Sequence, residues 1–239
     1  MNIDAIKVAL KYMKPHKVLG YDKIRLGGDY DGGYICINDF DNIKIAITGG
    51  VAHDDRWEND IARERNIPTL SFDPTQPCDM PSVPNLPYKL FAGKLEGYPL
   101  TRNSTLDALL FTFNQHEAIA KIDIEGDEWE LLTYTQDSTL DKFRQIVVEF
   151  HMNETLDTMC EYGNVFEKLY KTFRIVHVHG NNWSKIHNFE GLNLPDVFEV
   201  TFANKNYYNM EVSNETFPTE LDMPCRPDEK DVFLGTFSL

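Results

Sequence analysis

The sequence predicts an α/β fold: a seven-stranded, mostly parallel, doubly wound sheet whose last strand runs antiparallel. Three observations predict it. Short apolar runs bounded by turn residues alternate with helical patterns, which is how a parallel sheet with crossover helices reads. The runs number seven: Ile43 to Thr48, Thr69 to Phe72, Lys89 to Ala92, Ile119 to Ile124, Ile146 to Phe150, Ile175 to Val178 and Val197 to Ala203. The fourth and fifth both end on acids, in Lys121-Ile122-Asp123-Ile124-Glu125-Gly126-Asp127-Glu128-Trp129 and Val148-Glu149-Phe150-His151. In an open α/β sheet ligands sit beyond the carboxyl ends of the strands, so these two edges point polar groups into one crevice.

The elements follow in order. Ala5 to Met13 reads as a covering helix, and Arg25 to Tyr34 as a glycine-rich polar loop. Between the first two strands, residues 54–64 place acids early and bases late, with Trp57 and Ile61 four apart on one apolar stripe, which marks a crossover helix. Leu156 to Phe173 repeats the pattern after the fifth strand, with Met159, Phe166, Leu169 and Tyr170 as its buried face. A polar loop from Gly180 to Pro195 joins the last two strands as a terminal hairpin, and the tail after Phe217 is acidic and punctuated by proline. One domain spans residues 1–239: a cap and loop region over 1–40, the core sheet over 41–205 and an extension over 206–239.

A formal charge of -15 disfavours a protein that grips nucleic acid or anionic lipid, because a polyanion needs a positive face. No apolar run approaches the roughly 18 residues that span a bilayer, and the first residues lack the pattern of a secretory signal, so membrane insertion is not expected and the expected location is the cytoplasm. Cys36, Cys78, Cys160 and Cys225 are far apart with no C-x-x-C pairing, which reads as reduced, structural thiols.

After the first strand, Thr48-Gly49-Gly50-Val51 offers glycines where a backbone must approach a nucleoside closely. About twenty residues on, Asp73 ends the second strand where an acid can hydrogen-bond ribose hydroxyls. The absence of G-x-G-x-x-G and of a phosphate-cradling loop argues against a pyrophosphate cofactor and leaves S-adenosylmethionine as the expected nucleoside ligand. Arg25 offers a bidentate clamp for a carboxylate. A hydroxyl nucleophile needs a general base or a metal that lowers its pKa. Asp123 and Glu149, on adjacent strand ends, are candidates to hold a divalent ion (Mg, Mn or Fe), a placement like that in catechol-type methyltransferases, with His179 as third ligand. His151 or Glu125 is the candidate proton acceptor, and Trp183, in a polar loop, a candidate platform for a sugar face.

Taken together, D-G-G-Y at 31–34, G-G-V at 49–51, F-D-P-T at 72–75, K-I-D-I-E-G-D-E-W at 121–129 and V-E-F-H at 148–151 make the chain resemble the FkbM-type S-adenosylmethionine-dependent methyltransferases. The resemblance implies the Rossmann-like methyltransferase sheet, with cofactor near Gly49, Gly50, Val51 and Asp73 and with Asp31, Gly32 and Gly33 close to its amino-acid end. It implies O-methylation of a sugar hydroxyl, the sugar nucleotide-linked and destined for bacterial capsule or another surface glycan. Asp127 departs from the small residue that many members carry after the glycine. Two alternatives are a nicotinamide-dependent sugar oxidoreductase, which should show a dinucleotide fingerprint, and a catalytically silent relative that binds a sugar or a partner protein.

Overall fold

The computed structural model describes residues 10–75, 88–98, 100–114, 116–152, 158–189 and 191–236. Its elements in chain order are β1 (His16–Val18), β2 (Lys23–Gly27), β3 (Gly33–Ile37), β4 (Ile45–Gly49), α1 (Arg56–Asn59), β5 (Thr69–Phe72), β6 (Tyr88–Phe91), β7 (Gly97–Tyr98), β8 (Asn103–Ser104), α2 (Thr105–Phe113), β9 (Ala118–Ile122), α3 (Glu128–Tyr134), α4 (Asp137–Leu140), β10 (Phe143–His151), α5 (Thr158–Thr172), β11 (Phe173–Gly180), β12 (Ile186–Phe189), β13 (Leu192–Pro195), β14 (Val197–Asn204) and β15 (Met210–Val212). Of the expected N-terminal helix, Ala5 to Met13, residues 10–13 are described, and 10–12 are helical; Cys78 and the side chains of Met159 and Cys160 lie outside the described residues.

All seven apolar runs form one sheet, in the order β11-β14-β10-β9-β4-β5-β6. Neighbours from β10 to β6 pair in parallel, and β14 runs antiparallel to both β10 and β11. The final strand of the sheet is thus the antiparallel one, as expected. It is inserted between the fifth and sixth rather than added at the edge.

Alternation separates the two faces of the sheet. One carries Ile45, Ile47, Ala120, Ile122, Ile146, Val148 and Phe150 into the larger core, which takes in α2, α3 and α5. Trp129 of α3 stacks there on Phe150 and Tyr162, with ring centroids 4.4 and 3.9 Å apart. The opposite face carries Ala46, Ile119 and Val147 against Trp57, Ile61 and the β2–β3 hairpin.

Register makes that second face unusually polar toward the strand ends. One row runs Thr48, Lys121, Val147, Thr201, His177 across β4, β9, β10, β14 and β11. One step further on lie Glu149, Glu199 and His179. The β2–β3 hairpin covers these rows and is stitched to them: Ile37 N donates to Gln145 Oε1 at 2.7 Å, Gln145 Nε2 returns a bond to Ile37 O at 3.0 Å, and Thr201 Oγ1 donates to Ile35 O. The strands β2 and β3 are absent from the sequence expectation, which left residues 25–34 as a loop.

Two further elements differ. The crossover after β4 is only four residues of α-helix before it widens into a π-helical turn over Asp60–Glu64. The wider turn lets Trp57, Glu58, Ile61 and Ala62 all be buried, while Asp60 Oδ2 accepts from Gly27 N at 2.7 Å and ties the helix to the hairpin. The loop between β11 and β14 folds into its own hairpin, β12–β13.

Candidate functional site

The site grows from the ends of β4, β9 and β10. Asp123 follows β9 directly, its N–H donating to Gly49 O at 3.0 Å, so the end of β4 fixes the start of the acidic loop. Gly50 has φ +75°, and a Cβ on it would lie 1.5 Å from the Asp123 carbonyl oxygen. A Cβ on Gly49 would meet Leu95 and Ile124. These glycines let protein backbone and core side chains close up beside Asp123, which is a different reason for them than the approach of a nucleoside.

Asp123 and Glu149 come together, as expected, and Tyr34 of β3 stands between them. Its hydroxyl lies 2.9 Å from Asp123 Oδ2 and 3.3 Å from Glu149 Oε2. Asn181 Nδ2 donates to the other Glu149 oxygen at 2.7 Å. Burial, together with the negative charges of Asp123 and Glu199, pushes the Glu149 carboxyl well above its ordinary value. One hydroxyl hydrogen serves one acceptor at a time, so Tyr34 donates to Asp123, the nearer of the two carboxylates, or turns to Glu149. Asp31, at the hairpin tip, is also raised, by burial and by the charges of Glu199 and Asp123.

Lys121 supplies the buried cation beneath. Its Nζ donates to Gly50 O, lies 3.8 Å from Asp123 Oδ2 and 3.9 Å from Glu58 Oε1. Burial alone would lower its pKa, but Glu58, Asp123 and Glu149 outweigh that and hold it above the ordinary value.

On the other side of Asp123 a histidine–carboxylate pair is built from the end of β10 and the start of α3. Glu128, fully buried, accepts from His151 N at 2.6 Å and from Gly126 N at 2.8 Å, and its Oε1 lies 3.3 Å from His151 Nδ1. Trp129 Nε1 donates to His151 O at 2.7 Å, so Trp129 both packs the core and pins the strand end. His151 Nε2 lies 3.5 Å from Glu125 Oε2, on a loop with φ +58° at Glu125 and +107° at Gly126. Burial pulls the His151 imidazole down, but Glu128, Asp123 and Glu125 outweigh it and leave the pKa above 6.5. One ligand atom from each of Asp123, Glu125 and His151 fits within 4.8 Å of the others, a set that suits a divalent cation.

Other expected residues have other occupations. His179 does not join Asp123 and Glu149, because its Nδ1 faces Glu199 at 3.1 Å and its Nε2 faces Asp231 at 3.1 Å; the β14 strand stands between it and β10. Asp73 is buried, with Oδ2 accepting from Val51 N (3.0 Å) and Ala52 N (2.7 Å) and Oδ1 from Thr75 N (2.8 Å) and Thr75 Oγ1 (2.6 Å). Those four bonds fill its acceptor sites, so in this arrangement it shapes the turn after β4 and has none left for ribose. Arg25 spans the hairpin turn, donating to Gly28 O at 2.9 Å and Tyr30 O at 2.7 Å, while its Nη1 is buried with no hydrogen-bond partner. Trp183 is exposed, with the Arg226 guanidinium 4.9 Å over its ring.

Tyr34, Lys121, Glu128, Asn181 and Glu199 were not singled out from sequence. Lys121 and Glu199 carried a signal, since each is a charge at an inward position of an otherwise apolar strand. Glu128 and Tyr34 carried none, because an acid in the first turn of a helix and an aromatic after a turn are ordinary. The sequence matches no model of a known protein family, and no curated protein matches it.

Proposed function

We propose that the chain is an S-adenosylmethionine-dependent O-methyltransferase that acts on a sugar hydroxyl, the sugar being nucleotide-linked and bound for a surface glycan. The observation that carries this reading is the His151–Glu128 pair beside Asp123, beyond the carboxyl ends of two central strands. The sheet supports it too: numbered along the chain, its strands lie in the order 3-2-1-4-5-7-6 with the seventh antiparallel, the layout that a Rossmann-like methyltransferase sheet needs. The substrate class rests on the sequence resemblance alone.

The residues present fit the cofactor in two respects. The carboxylates of Asp31, at the hairpin tip, and Asp123 are suited to a sulfonium cation, and the unpartnered Arg25 Nη1 is suited to a carboxylate. When bound, S-adenosylmethionine would supply the methyl group. Asp123 would orient the acceptor hydroxyl by accepting its hydrogen bond. His151 Nε2 would take the proton, with Glu128 on Nδ1 fixing the tautomer and favouring the imidazolium that forms. The hairpin tip would keep water off the reacting atoms.

A second reading routes acidification of the hydroxyl through a divalent cation held by Asp123, Glu125 and His151, favoured by their mutual reach of 4.8 Å. One experiment tests the function and separates the two. The protein is incubated with methyl-labelled cofactor and a panel of nucleotide sugars, with and without chelator, beside calorimetry with S-adenosylmethionine and its demethylated product. Transfer that survives chelation supports the histidine base, and transfer lost to chelation and restored by Mg or Mn supports the cation. Asp123→Asn should abolish transfer either way while keeping the circular dichroism of the parent. Binding of neither sulfonium nor its product would overturn the proposal and favour a silent sugar-binding protein; binding of a nicotinamide nucleotide instead would favour an oxidoreductase.

A further inference from the structure

Away from the Asp123 site, the described residues bring together a second set of donor atoms of a different character. His179 comes from β11, Glu199 from β14, and Cys225 from the C-terminal segment that crosses over them. All three are buried, at 0, 4 and 2% exposure, and one ligand atom from each fits within 4.8 Å of the others. Glu199 Oε2 is 3.1 Å from His179 Nδ1, and Cys225 Sγ is 3.5 Å from Glu199 Oε1. A tetrahedral zinc with bonds of about 2.0–2.3 Å holds its nitrogen, oxygen and sulfur donors about 3.3–3.8 Å apart, so the two contacts that Glu199 makes are near the required spacing and the third pair is within 4.8 Å.

The far side of the imidazole is prepared as well. His179 Nε2 lies 3.1 and 3.2 Å from the two carboxylate oxygens of Asp231. A histidine that ligates through one nitrogen characteristically donates its other N–H to a carboxylate, which fixes ring orientation and strengthens the donor. The combination of thiol, imidazole and one carboxylate selects zinc over magnesium, calcium or manganese, which prefer all-oxygen surroundings.

We infer that His179, Glu199 and Cys225 bind a zinc ion, with Asp231 orienting the imidazole. The exchange balances. Without metal, each ring nitrogen faces a carboxylate, so the imidazole carries both protons; with the thiol neutral and two carboxylates ionised, the cluster has one net negative charge. On binding, one proton leaves Nδ1 and one leaves the Cys225 thiol, the Nδ1 and Sγ lone pairs form bonds to the ion, and the total again comes to one net negative charge. No oxidant or reductant takes part, and the buried surroundings hold the same charge in both states. The ion would clamp the C-terminal segment onto β11 and β14, and would draw the charge of Glu199 away from its cross-strand neighbour Glu149. The inference is independent of the methyl-transfer reading.

Cobalt tests it, because a thiolate ligand to Co(II) is visible by absorption. The full chain, stripped by chelator and given one equivalent of Co(II), should show a thiolate-to-cobalt charge-transfer band with d–d bands of tetrahedral intensity, and one equivalent of zinc should abolish both. Cys225→Ser should lose the charge-transfer band, while Cys36→Ser, which removes the other described buried cysteine, should keep it. Zinc added in weak buffer should release two protons per ion. Absence of the band in the parent chain, or its survival in Cys225→Ser, would overturn the assignment. Should that variant not fold, zinc-edge X-ray absorption of the parent decides: one sulfur scatterer supports the site, and nitrogen and oxygen alone refute it.

Discussion

At the residue scale the candidate site depends on one buried carboxylate that holds a histidine from two directions. Glu128 accepts from both the backbone N–H and Nδ1 of His151, so ring position and basicity have a common cause. A base must be neutral to accept a proton, so activity should fall as pH drops through the His151 pKa, which lies above 6.5. Glu128→Gln keeps the shape and removes the charge that raises that pKa. The acid limb of the kcat/KM profile should then move to lower pH, and kcat should drop by about 10- to 1000-fold. An unmoved limb would show that the titrating group is elsewhere. The sequence placed Asp123, Glu149 and His151 in one crevice because strand-end position follows from periodicity alone. It could not assign their partners, since Tyr34, Glu128 and Asn181 reach the site through the hairpin, a helix start and a loop whose packing no local pattern encodes. For the same reason His179 was assigned to the wrong neighbours: alternation gave its face correctly, but not that β14 would lie between it and β10.

Among the elements, those that frame the site differ in how locally they are specified. Helix α2 begins with a capping box, Asp107 N donating to Ser104 Oγ at 3.3 Å and Ser104 N to Asp107 Oδ2 at 2.6 Å. That signal, a serine followed three residues on by an acid ahead of an apolar run, is legible in the sequence. Ser104→Ala should cost about 1 kcal/mol in urea unfolding and leave kcat unchanged, as α2 lies on the face of the sheet away from the hairpin. The β4 and β9 ends are specified non-locally. Gly50→Ala combines a left-handed φ of +75° with a Cβ 1.5 Å from Asp123 O, so either the Asp123 loop moves or the protein fails to fold. The expected loss is at least about 3 kcal/mol. A Gly50→Ala variant with parental stability would mean that the Asp123 loop yields to the added methyl without cost. The glycines were legible as glycines; what they make room for was not, because that requires the partner strand.

Across the whole molecule the excess of acid, -15 in formal charge, is partly concentrated in one crossing of the sheet, and its pH dependence follows from Glu149. Burial and the charges of Asp123 and Glu199 raise its folded pKa well above the unfolded value of 4.5. Between those two values the folded state binds a proton that the unfolded state has released. The stabilising contribution is therefore complete below pH 4.5 and is lost as pH rises through the folded pKa. The slope for one such group is at most about 1.4 kcal/mol per pH unit. Glu149→Gln imitates the protonated side chain: its carbonyl oxygen can still accept from Asn181 Nδ2, and its amide can donate toward the Tyr34 oxygen. Urea midpoints taken in steps from pH 5 to 9 should thus fall less steeply for Glu149→Gln than for the parent, and the two curves should separate in favour of the variant as pH increases. The opposite order at high pH, with the parent more stable, would mean that Glu149 is ionised and held by a cation in the folded protein. Zinc bears on the same series through Glu199: a clamp there relieves the repulsion on Glu149, so added zinc should flatten the parental slope without touching that of the variant.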